Sequence, residues 1–363
     1  MKILFITHSL GHDYGAGVFA RNIIEGVRQR GYTVTVATKM SVAKFPYEKS
    51  FMSFGLFRFF HTVFRLRNLS READIVHTFD TYPYAIAAFL ATLGLKKRKV
   101  LTFVGTGSIL PLHKWYGSIV GFILKSFDRT TAISCFVRDE VLKKAPTLDI
   151  SVITPGIDAK EIEKVKEKVP AVISKKLPYV LSVGSLRWRK GFGVSIRAFV
   201  RVVEKFPNLN YVIVGKKYTQ KYFNKLQSLV EELGIKNSVH FVTDVDDRAV
   251  LYLWYKNASL FWLISQNKGY DVEGFGMVFL EAALSGLPVV GSLDCGVSDA
   301  MAEGRNGFLV KETDEQGAAN AAIKILGDEK LRGEMSAFSR EFAAGFDWQK
   351  KIDEYVLLYN SSI

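Results

Sequence analysis

Three short stretches of the chain hold residue types suited to binding anions and sugars. The most specific is Glu273-Gly274-Phe275-Gly276-Met277-Val278-Phe279-Leu280-Glu281, with seven residues between its two carboxylates. Gly274 and Gly276 are expected to open a helix there, which leaves the amides of Gly276, Met277 and Val278 free to hold an anion or sugar hydroxyls. Glu281 follows about one turn later among Val278, Leu280, Ala282, Ala283 and Leu284. A carboxylate in such apolar company requires a partner. A ribose diol would supply one, and a salt bridge within the protein is the alternative.

The second stretch, Ser185-Leu186-Arg187-Trp188-Arg189-Lys190-Gly191, comes directly after the apolar run Val180–Val183. If that run is a parallel strand, three cations stand at its C-terminal end, where ligands of open α/β sheets bind. Their chemistry suits a phosphate or diphosphate; a solvated basic loop is the plain alternative. The third is Gly15-Ala16-Gly17-Val18-Phe19-Ala20, formally GxGxxA. It is a poor dinucleotide fingerprint, because residues 8–14 separate it from the first strand and the second strand ends Ala37-Thr38-Lys39 with no acidic residue for a ribose. A tight turn, or amides approaching a phosphate at a helix N-terminus, accounts for it. Asp244-Val245-Asp246 is a formal DxD, a pattern common by chance, and no essential metal is expected from it.

The elements that must position these residues alternate regularly. Apolar runs at Ile3–Thr7, Val34–Ala37, Ile75–His77, Val100–Val104, Arg129–Ile133 and Ser151–Ile153 read as buried strands, with helical spacing between them, as in Val18, Ile23, Ile24 and Val27. Residues 159–176 are charged and carry no strand pattern. The alternation then restarts at Val180–Val183, Tyr211–Val214, Val239–Val242, Ser259–Leu263, Pro288–Gly291 and Gly307–Val310. Strand–helix alternation of this kind predicts parallel sheets with helices on both faces. Two doubly wound α/β domains follow: residues 1–158, a linker at 159–177, residues 178–346, and an amphipathic C-terminal helix at 347–363.

Composition agrees with a folded chain. Of 363 residues 48% are hydrophobic and 23% charged, which excludes disorder, and 2 cysteines cannot build a disulfide framework, so a reducing compartment is the default. The net charge is +13, unevenly placed: residues 1–170 hold 25 Lys and Arg against 14 Asp and Glu, while the rest hold 24 against 22. The longest charge-free stretch, Thr81–Leu95, is shorter than the roughly 20 residues a spanning helix needs. A cytosolic protein, free or resting on the cytosolic side of a membrane, is expected.

Taken together, Glu273 and Glu281 with their spacing, the Lys190-Gly191 loop and Gly15 resemble the retaining glycosyltransferase family 4. So do Asp74-Ile75-Val76-His77, Asp128-Arg129 with Ser134, Pro155-Gly156-Ile157-Asp158 and Asn306-Gly307-Phe308-Leu309-Val310, in the same order along nearly the whole chain. The resemblance implies a GT-B fold, two Rossmann-like domains facing across a cleft, with the C-terminal helix returning to the N-terminal domain. It implies a metal-independent hexosyl or glycosyl transfer that needs no cofactor, from a UDP- or GDP-sugar to a hydroxyl acceptor. Lys190 would hold the donor diphosphate, Glu281 the ribose, and Glu273 with the Gly276–Val278 amides the sugar, while Gly15 lets the first loop approach the diphosphate. Gly274 and Phe275 belong to the same donor loop. Two positions depart from the family: Ser185 stands where it has an Arg, for which Arg187 or Arg189 would substitute, and Val104 stands where it often has a His. On the acceptor side Asp13, Thr106 and His113 are the candidates, with Ser108 a further substitute for that His.

The charge asymmetry belongs to the acceptor side. Phe51, Phe54, Phe57, Phe59, Phe60 and Phe64 interleave with Lys44, Lys49, Arg58, Arg65 and Arg67, Lys96-Lys97-Arg98-Lys99 follow, and Leu110–Lys125 carries Trp115 and Tyr116. Basic residues beside exposed aromatics suit an anionic membrane surface and a lipid-linked or membrane-presented acceptor. Phe57, Phe60 and Phe64 also sit at core-like helical spacing. Nucleic acid is the rival use of the charge, but no nucleic-acid motif accompanies it. A GT-B epimerase acting on a nucleotide-sugar is the rival use of the donor site.

Overall fold

The computed structural model describes residues 1–11, 15–41, 45–163, 165 and 171–361. They form two compact units, Met1–Gly156 with Trp348–Ile363, and Ile157–Asp347.

Among the described residues the first unit is built on seven parallel strands: β1 (Lys2–Ser9), β2 (Thr33–Met40), β3 (Glu48–Ser50), β4 (Ile75–Phe79), β5 (Arg98–Phe103), β6 (Arg129–Ala132) and β7 (Ile150–Val152). Their order across the sheet is β3-β2-β1-β4-β5-β6-β7, so the winding reverses between β1 and β4. Leu4, Phe5, Ile6, Val36, Val76, Leu101 and Phe103 are fully buried, as strands covered on both faces require. The apolar runs thus mark every strand here except β3, whose Glu48-Lys49-Ser50 has no apolar residue and pairs only at the sheet edge, Val36 to Glu48 through Thr38 to Ser50.

The second unit repeats the plan with β8 (Tyr179–Val183), β9 (Asn210–Val214), β10 (Val239–Val242), β11 (Leu260–Leu263), β12 (Val289–Ser292) and β13 (Gly307–Val310). Their order is β10-β9-β8-β11-β12-β13, with the reversal between β8 and β11. The charged stretch between the two sheets contains the helices Ala159–Glu163 and Ala171–Ser174 among its described residues.

The final helix, Trp348–Asn360, belongs to the first unit. Trp348 packs its ring 6.0 Å from that of Phe19, and Arg30 pairs with Asp353 at 2.7 Å. Beneath it lies a buried polar chain: the Tyr359 hydroxyl meets His77 Nδ1 at 2.6 Å, His77 Nε2 meets Thr102 Oγ1 at 2.8 Å, and Thr102 meets Thr131 at 2.7 Å. Burial holds the His77 imidazole down to about 3 from an ordinary 6.5. The unfolded chain therefore takes up a proton near pH 6.5 that the folded unit accepts only near pH 3. Stability from this source is complete above pH 6.5 and declines by about 1.4 kcal/mol per pH unit below it. Melting temperature recorded from pH 7 to pH 5 should fall less steeply in His77→Asn than in the parent; equal slopes would contradict this account.

Candidate functional site

In the second unit, loops leaving the C-terminal ends of β8, β11 and β12 meet at the point where the sheet's winding reverses, the usual ligand position in open α/β sheets. The loop after β8 carries Ser185, then the short turn Trp188–Lys190. Gly191 ends it at φ +62, and a Cβ there would lie 1.7 Å from the Ile264 carbonyl oxygen, so only glycine lets the loops after β8 and β11 touch. The Gln266 amide donates to the Arg189 carbonyl at 2.7 Å, and the Gly296 amide to the Glu273 carbonyl at 2.9 Å.

These contacts aim a buried ion cluster. Lys190 Nζ donates to Glu273 Oε2 at 2.6 Å, Arg189 Nη1 lies 3.0 Å from the same oxygen, and Arg189 also donates to the Val272 carbonyl at 2.7 Å. All three side chains are buried. Burial alone would push the Glu273 carboxyl up, but Lys190 and then Arg189 outweigh it and hold the group down to about 2. Burial lowers the Lys190 ammonium, and Glu273 opposes that shift. Glu273 is therefore a fixed anion that neutralises and orients two cations. Arg187, half-buried with its guanidinium 5.7 Å from the Tyr218 ring, has its Nε without a hydrogen-bond partner among the described residues. Of the two arginines offered in place of an Arg at Ser185, Arg189 is committed to Glu273 and Val272, whereas Arg187 is not. Ser185 contributes its carbonyl, which accepts from the Arg187 amide at 2.8 Å.

Gly274 and Phe275 lie buried in the loop, and Gly276, at φ +88, caps the helix Met277–Leu284. The amides of Met277 and Val278 stand in the first turn, where no carbonyl of their own helix reaches them. Glu281 is buried one turn on and has protein partners: the Tyr255 hydroxyl donates to it at 2.9 Å and Arg248 Nη2 lies 3.5 Å away. Both partners come from the helix Arg248–Asn257. Asp246 of the DxD pairs with Lys216 at 2.7 Å, on the surface.

The first unit holds a second concentration of polar groups. A cavity of about 400 Å³ opens at the C-terminal ends of β1, β2 and β4, lined by His8, Lys39, Asp80, Tyr82 and Tyr84 among others. His8 Nδ1 and the Tyr84 hydroxyl are 2.7 Å apart, and Ser108 Oγ donates to Asp80 Oδ1 at 2.6 Å. Burial raises the Asp80 carboxyl above its ordinary range, with the Ser108 and Val104 hydrogen bonds opposing it. Asp80 has φ +67, an uncommon conformation for a residue with a Cβ.

Of the acceptor-side expectations, Thr106 and His113 are not among the residues lining this cavity, and Asp13 lies outside the described residues. His113 instead sits near Lys144 and Glu140. A Cβ on Gly15 would meet nothing within 4 Å, whereas one on Gly17, a cavity residue, would lie 2.5 Å from the Gly11 carbonyl oxygen. Sequence reasoning passed over His8, Lys39, Asp80, Tyr84, Arg248 and Tyr255. Asp80 and Lys39 had a usable signal, each being a charged residue at the C-terminal end of a parallel strand.

Comparison with known proteins places this geometry. Residues 14–161 match the family described as Glycosyltransferase Family 4, and residues 163–342 match Glycosyl transferases group 1. A D-inositol 3-phosphate glycosyltransferase of Corynebacterium urealyticum is 31% identical over 222 residues, 58% of this chain. The match spans about half of that relative's length, 51%. A GDP-mannose-dependent alpha-(1-6)-phosphatidylinositol monomannoside mannosyltransferase of Mycolicibacterium smegmatis is 25% identical over 78% of this chain and 76% of its own. Among solved structures, Anabaena Alr3699/HepE in complex with UDP superposes over 100% of both chains with a TM-score of 0.81 at 21% identity. Its likeness establishes the fold, two Rossmann-like sheets of the GT-B type.

Proposed function

Since the chain belongs to glycosyltransferase family 4, its second unit matching the group 1 glycosyl transferases, we propose that it moves a sugar from a nucleotide-sugar to a hydroxyl acceptor with retention at the anomeric carbon. The observation that carries this reading is the buried Lys190–Glu273–Arg189 cluster, with Arg187 beside it, at the reversal point of the second sheet. Lys190, Arg187 and the first-turn amides after Gly276 meet the donor diphosphate, and Glu281 takes the ribose. HepE, solved with UDP, and the GDP-mannose-dependent relative give the nucleotide two precedents.

As the bond from the anomeric carbon to the diphosphate oxygen breaks, negative charge grows on the leaving phosphate and positive charge on the sugar. Cations fixed before the reaction stabilise that charge at no reorganisation cost, which lowers the barrier. The acceptor hydroxyl attacks the same face, its oxygen bonding to the anomeric carbon while its proton passes to the leaving phosphate oxygen. Glu273 accepts hydrogen bonds from the sugar hydroxyls. A glycosidase-like carboxylate pair is disfavoured, because such a pair needs one carboxyl with a raised pKa, whereas Glu273 is held down and Glu281 is engaged by Tyr255 and Arg248. With the diphosphate balanced by side chains, transfer is expected to need neither a metal nor a cofactor.

The acceptor is lipid-linked or otherwise presented at a membrane, and the protein works peripherally on the cytosolic face. The M. smegmatis relative, whose name carries a phosphatidylinositol acceptor, supports this, as does the positive excess of residues 1–170. A melting-temperature screen should show stabilisation by UDP or GDP and by the matching sugar nucleotide. NMR of the product should show the donor's anomeric configuration kept. An inverted product, or stoichiometric epimer without acceptor, would overturn the proposal.

A further inference from the structure

The helix Leu56–Glu72 is turned inside out. It buries Thr62, Leu66 and Ser70 and leaves Phe57, Phe60 and Phe64 exposed at 86%, 67% and 62%. At spacings of three and four, those phenylalanines form one stripe. A second stripe runs from Trp115, just before the helix Gly117–Leu124, through Ile119 and Phe122 on it, exposed at 92%, 61% and 71%, while the helix buries Val120, Ile123 and Leu124. Six large apolar side chains in water are a cost that soluble surfaces normally avoid in such concentration.

The two stripes are joined. Rings run in contact from Phe60 through Phe59 and Phe54 to Tyr84, at centroid separations of 6.1, 6.2 and 5.4 Å. Two residues back, the Tyr82 ring lies 5.9 Å from that of Tyr116, which lies 5.4 Å from that of Trp115. Both helices pack against the helix Ile86–Thr92 that follows this turn. Tyr82 and Tyr84 also line the cavity that holds Asp80.

Charge selects the occupant. No Asp or Glu occurs from Lys49 to Arg71 or from Thr81 to Phe127. Arg58, Arg65, Lys114 and Lys125 are exposed in those same segments. The run Lys96–Lys99 is largely spent elsewhere: Lys97 Nζ donates to the carbonyls of Arg71 and Ala73, and Arg98 donates to those of Tyr359 and Ser361. Arg98 opens β5, at the opposite end of the sheet from the cavity.

We propose that the Phe57-Phe60-Phe64 and Trp115-Ile119-Phe122 stripes seat in an anionic lipid bilayer, and that the adjoining cavity receives the polar head of a lipid-borne acceptor. Aromatic rings enter the headgroup–acyl boundary, and the flanking Arg and Lys meet lipid phosphates. In the cavity Asp80, held by Ser108, accepts a hydrogen bond from an acceptor hydroxyl, and Lys39 faces its phosphate. Asp80 positions the acceptor, and its part rests on the transfer reaction proposed above; the bilayer seat does not.

Sedimentation of the full chain with phosphatidylcholine vesicles, with and without phosphatidylglycerol, tests the seat. Binding is expected to need phosphatidylglycerol, to weaken with salt, and to fall at least tenfold in F57S/F60S/F64S and in W115S/F122S. Each variant should keep the parent's melting temperature and UDP-induced shift. Parent-like vesicle binding by both variants, or equal binding of duplex DNA by parent and variants, would overturn the seat. Asp80→Asn should retain vesicle and UDP binding yet raise the acceptor KM about tenfold with donor KM unchanged; an unchanged acceptor KM removes Asp80 from the site. Failure of both UDP and GDP to stabilise any of these proteins counts against the transferase reading and leaves the vesicle result standing.

Discussion

Replacing Lys190 with alanine is expected to lower kcat/KM for sugar transfer by about 10³-fold, the upper range for loss of one group that stabilises a developing oxyanion. The ammonium is buried at the end of β8, fixed 2.6 Å from Glu273, and cannot be replaced by a solvated cation. Removing it also leaves Glu273 with Arg189 as its remaining close cation, at 3.0 Å. Breaking a buried pair costs up to about 3–5 kcal/mol, so the variant should melt lower. Lys190→Arg separates the two effects, restoring most of the melting temperature but little of the rate. Activity within tenfold of the parent in Lys190→Ala would remove Lys190 from the reaction.

For Glu281→Ala the expected result is a rise of about 100-fold in the donor KM. Glu281 accepts from Tyr255 at 2.9 Å and lies 3.5 Å from Arg248, so its carboxylate is oriented before any nucleotide arrives. A merely structural role would produce the same loss of stability without a nucleotide-specific signature. Binding of UDP and of inorganic pyrophosphate distinguishes the two: a ribose contact requires that UDP weaken while pyrophosphate does not. Tyr255→Phe, which keeps the carboxylate, should weaken UDP far less. Equal weakening of both ligands would exclude the ribose assignment.

The sheets were legible because burial on both faces makes each strand a continuous apolar run, as in Leu4-Phe5-Ile6. β3 was not, since an edge strand of Glu48-Lys49-Ser50 needs no apolar residue. The residues proposed for the donor were legible because Lys190, Glu273 and Glu281 fall in two short segments at strand ends. The cavity of the first unit was not, since His8, Lys39, Asp80 and Tyr84 come from three strand ends and only the strand order β2-β1-β4 brings them together. Helical spacing identified the Phe57-Phe60-Phe64 stripe but could not tell its direction. The opposite stripe, Thr62-Leu66-Ser70, looks polar in sequence yet is the buried one. Likewise Lys96–Lys99 reads as a free basic run until Lys97 and Arg98 are found on backbone carbonyls.

The placement of the Trp348–Asn360 helix in the first unit has a bearing on synthesis. The residues that begin the chain obtain Tyr355 and Tyr359, the latter a hydrogen-bond partner of His77, only when the ribosome has translated the whole of the second unit. The amino-terminal sheet must therefore persist with an uncovered seam while Ile157–Asp347 is made and folds. Removal of Trp348–Ile363 would therefore strike the unit that begins with Met1, whereas the second unit is one continuous segment of chain.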